Sequence, residues 1–112
     1  MAEPDTRPEA GAELSAALSP LRERIDAIDQ EIVKLLNERA QIALEIGLIK
    51  EALGRRAVRD PAREQEVLDH VTRASAGLFP EPGLLALYRK LIAATRKVQV
   101  EQRRHASHRE AK

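Results

Sequence analysis

From Leu21 to Leu53 the apolar residues recur in steps of three and four, at Leu21, Ile25, Ile28, Ile32, Leu35, then Ile42, Ile46, Ile49 and Leu53. That period marks one face of an α-helix and is incompatible with a strand, whose side chains alternate every second residue. Ser19-Pro20 precedes the run as an N-cap followed by proline at the first helical position, and Gly54 follows it as a C′ residue. The spacing therefore predicts one helix over residues 20–53, about 50 Å long at about 1.5 Å per residue. A compact domain of this size has a radius of gyration of only about 13 Å. The apolar seam overshoots its own protomer and needs cover, most simply from a second copy of the chain.

Two further helices follow from the same logic. Asp60-Pro61 is another N-cap and N1 pair, and Val67, Leu68, Val71 and Leu78 predict a short helix over 61–76, ended by Gly77. The stretch LFPEPG reads as a turn, after which Leu84, Leu87, Tyr88, Leu91, Ile92, Val98 and Val100 predict a third helix reaching residue 102. Period-two alternation and internal repeats are absent from the sequence. The expected fold is all-α, a three-helix protomer over 19–102, with a disordered N-terminal tail at 1–18 and a polar tail at 103–112.

Composition narrows the function. With 112 residues, 43% apolar and 33% charged, the chain suits one small globular domain and excludes a two-domain enzyme. Phe79 and Tyr88 are its aromatic residues, too few for stacking on nucleic-acid bases. Nineteen basic against eighteen acidic residues give a net charge of +1, which supplies no field for capturing nucleic acid or an anionic membrane. No cysteine is present, so thiolate metal sites and cysteine nucleophiles are excluded. The opening MAEPDTRPEAGAELSAALSP lacks the basic and apolar regions of a secretory signal, and no run approaches the roughly 20 apolar residues of a membrane span. A cytoplasmic protein is expected.

The chemistry lies in polar residues placed where apolar ones belong. Arg39 interrupts the first stripe between Leu35 and Ile42, pointing a guanidinium into a helix interface. An ion pair with a neighbouring helix, or a side chain that snorkels to water, would also account for it. Lys50, eleven residues on, returns to within about 20° of Arg39 and stands about 16 Å further along the helix. Between them lie Ala43 and Gly47, and the glycine costs a helix about 1 kcal/mol relative to alanine, so its smallness points to room for a ligand or to close helix packing. Arg63 and Glu64 occupy the first turn of the second helix, where an arginine opposes the helix dipole, either as a ligand contact or simply as an exposed side chain. Thr95 and Gln99 fall on the stripe Tyr88, Ile92, Thr95, Gln99 of the third helix, as interhelical hydrogen bonds or as ligand contacts. Taken together, these cations outnumber carboxylates on helix-packing faces, which implies a small anionic ligand whose carboxylates arginine can grip. His105 and His108 form a His-x-x-His pair in the polar tail without a third ligand, so no metal site is expected, and His70 stands apart.

The segments LRERIDAIDQEIVKLLNERAQIALEIGLIK, VRDPAREQEVL and LYRKLIAATRKVQ together resemble the all-helical chorismate mutases of the AroQ class, in their monofunctional form. The resemblance spans about residues 20–102. It implies an intertwined homodimer whose two sites each borrow from both chains, and conversion of chorismate to prephenate on the route to Phe and Tyr, without a cofactor. By that resemblance Lys50 and Gln99 donate to the ether oxygen and form the catalytic core. Arg39 and Arg63 bind substrate carboxylates, Thr95 supports one, and Arg22 is inserted from the partner protomer. Glu64 receives the substrate hydroxyl, with the backbone around Asp60 nearby. Two features depart from the family pattern: Thr95 stands where many members have Ser, and the Lys50 to Asp60 connection is one residue longer, with Arg55-Arg56 as extra bulk.

Two other functions fit parts of this pattern. An isochorismate pyruvate-lyase shares the fold and similar cations, but the full set of Arg39, Lys50, Arg63, Glu64 and Gln99 favours the mutase. A non-catalytic helical dimer that binds an enzyme of the same pathway would explain the seam but not the converging polar groups. Association of an active mutase with such a pathway enzyme stays open, and no appended regulatory domain is expected.

Overall fold

The computed structural model describes residues 8–55 and 59–110. They form three helices, α1 (Pro8–Ala52), α2 (Pro61–Ala74) and α3 (Glu81–Glu110), and no strand occurs among the described residues. The all-α, three-helix expectation is met.

The helix ends differ from the expected ones in instructive ways. Helix α1 runs unbroken through Pro20, so Ser19-Pro20 is not its start, and residues 8–18, expected as a disordered tail, are helical. This segment is rich in Ala, Leu and Glu, which are strong helix formers, and their propensity carries the helix across a proline that lacks one N–H. Likewise α3 extends to Glu110, so most of the expected polar tail 103–112 is helical. The residues RRHASHRE are polar but contain neither Gly nor Pro to stop a helix. Helix α2 ends at Ala74 rather than at 76, with Ser75 as C-cap in extended conformation, its N–H donating to Val71 O. Leu78, expected on the α2 stripe, is instead fully exposed beyond it. Arg56 and Val58 of the expected loop, and Lys112 of the tail, lie outside the described residues, as does the side chain of His108.

Two ends are built as the sequence implies. Gly54 adopts a left-handed φ of 78°, its N–H donates to Glu51 O at 2.9 Å, and Arg55 N–H donates to Lys50 O at 2.9 Å. Together these two bonds form a Schellman motif, which satisfies two of the carbonyls that α1 leaves unpaired. At the start of α2, Asp60 Oδ1 accepts from the Arg63 N–H at 3.1 Å, with Pro61 at the first helical position.

By packing, the chain divides after Glu38 into two units. The described part of the first is α1 up to that residue, and its Leu21, Ile25, Ile28 and Ile32 are exposed. The second holds the end of α1 with α2 and α3, and each helix contributes one buried apolar side chain: Ala43, Val71 and Ile92. Among the described residues no helix is long and apolar enough to cross a membrane.

Candidate active site

Within the second unit the end of α1, the start of α2 and the middle of α3 enclose a cavity of about 220 Å³. Arg39, Lys50, Asp60, Arg63, Glu64, Thr95 and Gln99 all line it, among Ile42, Ile46, Val67 and Ile92. Residues up to 60 positions apart in sequence therefore meet around one space. Arg22 does not line it. That residue sits on the exposed first part of α1.

Each polar group is held in place by a nameable contact. Arg39 Nη1 donates to Thr95 Oγ1 at 3.1 Å, while the Thr95 hydroxyl donates its own proton to Leu91 O at 2.8 Å. Thr95 thus orients the guanidinium, and it can serve a substrate carboxylate as a donor only by releasing Leu91. Gln99 Nε2 donates to Ala43 O at 2.8 Å. A carbonyl accepts only, so the amide nitrogen must face it, and its second N–H stays available. Lys50 Nζ lies 3.7 Å from Asp60 Oδ2, and the lysine side chain is 22% exposed. Asp60 therefore caps α2 with one oxygen and holds Lys50 with the other, and Lys50 also complements the C-terminal end of the α1 dipole.

Arg63 is the loosest member. Its side chain is 67% exposed and pairs with Glu66 Oε2 at 3.2 Å, an i,i+3 surface contact of little energy that a carboxylate ligand can displace. Gly47 does not line the cavity. A Cβ built there would lie 3.7 Å from Gln99 Cγ and 3.7 Å from Gln102 Oε1, ordinary van der Waals contact, so Gly47 faces α3 rather than a ligand and the helix packing there does not require a glycine.

Arg39, Lys50, Arg63 and Arg96 face Asp60 and Glu64 around the cavity, an excess of positive charge. A model described as chorismate mutase type II matches residues 21–100. The chain belongs to this chorismate mutase family. It is 41% identical over 81 residues to a bifunctional chorismate mutase/prephenate dehydratase of Aquifex aeolicus, covering 69% of this chain and 22% of that protein. It is 38% identical over 56 residues to a chorismate mutase of Methanocaldococcus jannaschii, covering 50% of this chain and 56% of the other. A solved chorismate mutase (form II) of Thermus thermophilus superposes with a TM-score of 0.73 at 31% identity, covering 77% of this chain and 97% of that one. The chain spans about a fifth of the length of the bifunctional relative from Aquifex.

For a chorismate mutase family member, one cavity residue escaped the sequence reading. Arg96 lines the wall with its Nε 3.5 Å from Glu64 Oε1. The signal was present: Arg96 lies four residues after Ile92 and three before Gln99, on the face those two define. It was masked by the adjacent Thr95 and by the abundance of basic residues in α3.

Proposed function

We propose that this chain converts chorismate to prephenate, with Lys50 and Gln99 as the catalytic pair. The reaction breaks an ether C–O bond and forms a C–C bond within one molecule, so no co-reactant is consumed. Negative charge grows on the departing ether oxygen while the enolpyruvyl arm lies folded over the ring. Two effects then suffice in kind: fixing the compact conformer, and placing donors where charge develops. A million-fold acceleration requires about 8 kcal/mol, within the range these two effects supply together.

The single observation that carries this reading is that Lys50 and Gln99, on different helices, line one cavity in which cations outnumber carboxylates. The lysine supplies a full positive charge and the free N–H of Gln99 a neutral donor for the ether oxygen. Arg39, braced by Thr95, and the exposed Arg63 are suited to the two carboxylates, which arginine grips through paired N–H groups. Glu64 accepts from the ring hydroxyl, and Asp60 holds Lys50.

The active species is a homodimer in which Arg22 is donated across the interface. The support is physical: Leu21, Ile25, Ile28 and Ile32 form an exposed stripe on one helix, and the buried apolar side chains among the described residues are few. A second copy of the same stripe covers this one symmetrically.

The test offers the purified protein chorismate and, in a separate reaction, isochorismate, while following substrate loss and the appearance of prephenate or pyruvate. Prephenate from chorismate is expected; turnover of neither substrate overturns the enzymatic reading, and pyruvate from isochorismate alone assigns a lyase.

A further inference from the structure

Two arginines flank the Glu64 carboxylate. Arg96 Nε, from α3, lies 3.5 Å from Oε1, and Arg59 Nε, from the segment before α2, lies 3.7 Å from Oε2. They are unequal partners. Arg59 is 66% exposed, where solvent screens a pair to little net effect, whereas Arg96 is 32% exposed and shares the cavity wall with Glu64. Glu64 Oε1 is buried and has no hydrogen-bond partner among the described residues. A buried carboxylate oxygen in that state calls for a compensating charge and a donor. Arg96 supplies the charge but stands too far for a good hydrogen bond, so the donor is still wanting.

We infer that Arg96 is a positioning residue: it holds the Glu64 carboxylate at the cavity wall in the orientation that accepts the ring hydroxyl of the substrate. This rests on the proposed reading of Glu64 as the hydroxyl acceptor. Arg96 acts through Glu64 and also ties α3 to α2, so a purely structural staple is the rival account. The two differ in which substrate notices the change.

The experiment compares wild type, R96L and R96K on chorismate and on the analogue whose ring hydroxyl is replaced by hydrogen. Loss of an oriented charged acceptor is expected to lower kcat/KM for chorismate about ten- to a hundred-fold in R96L. The loss falls mainly on KM, because the hydroxyl contact exists in ground and transition states alike. R96K recovers part of it, and the deoxy analogue distinguishes R96L from wild type by less than about threefold. Equal losses on both substrates, or no loss on chorismate, overturn the inference. A crystal structure of R96L provides an arm independent of turnover. A displaced Glu64 carboxylate supports the positioning role, and an unmoved one refutes it even if wild type proves inactive on chorismate, an outcome that would count against the proposed activity instead.

Discussion

Gln99 gives one of its two N–H groups to Ala43 O at 2.8 Å, which leaves the other for the proposed bond to the ether oxygen. An amide donates irrespective of pH, so turnover is expected to vary little between about pH 6 and 8, where no Asp, Glu or Lys ordinarily titrates. Q99E reverses the situation. Its carboxylate would face the Ala43 carbonyl as acceptor against acceptor and can donate only when protonated, so its kcat/KM should fall continuously as pH rises, as pH-rate profiles of the two proteins will reveal. A flat profile for Q99E would remove Gln99 from the donor pair. Thr95 tests the bracing of Arg39. T95S keeps the hydroxyl and should retain activity within about threefold, whereas T95A leaves the guanidinium without its acceptor and should lose about tenfold in kcat/KM by steady-state kinetics. At this scale the sequence exposed Arg39, Thr95 and Gln99, because each stands on an otherwise apolar stripe, and Lys50, because it returns to the face of Arg39. Arg96 stood on the same face unnoticed, and the brace of Thr95 on Arg39 joins residues 56 apart, a pairing that periodicity cannot show.

The helices are set by short local signals, and where those signals were strong the expected ends are the observed ones. Asp60 caps α2 through a bond to the Arg63 N–H, and Gly54 closes α1 with a left-handed turn. Composition proved a weaker guide than breaker chemistry. Residues 8–18 and 103–110 read as loose from their composition, yet neither segment pairs a helix-ending glycine with the capping residues that would stop a helix there. Ser19-Pro20 satisfies the requirements of a helix start and still lies inside one, since a cap is decisive only when the preceding residues disfavour helix. Gly47 offers an element-scale prediction. A Cβ there meets its neighbours at 3.7 Å or beyond, ordinary contact, while glycine inside α1 costs backbone entropy. G47A should stabilise the fold by up to about 1 kcal/mol in thermal or urea unfolding with turnover largely kept; a destabilised variant would mean that α1 and α3 approach more closely than in this structure.

For the whole molecule the deciding question is where Arg22 acts. If it enters the partner's site, R22A and K50A are each inactive alone, yet in a mixed dimer one of the two sites combines an intact Arg22 with an intact Lys50. Statistical exchange makes about half the dimers mixed, so co-refolding equal amounts should restore about a quarter of wild-type turnover. No recovery would place Arg22 in its own protomer's site, and an R22A protein active by itself would place it outside the chemistry. Balanced charge hides the other whole-molecule property, since a net charge of +1 coexists with four cations and two carboxylates around one cavity. The sequence by itself determined the helical class, the cap of α2 and the close of α1, because these depend on contacts within a few residues and on the helical period. It also marked the polar residues that interrupt each stripe. Only the tertiary structure decided that Gly47 faces α3, that Thr95 braces Arg39, and that Arg96 stands against Glu64. Those relations join separate helices, and the direction a side chain takes across such an interface follows from how the helices pack, which no local pattern specifies.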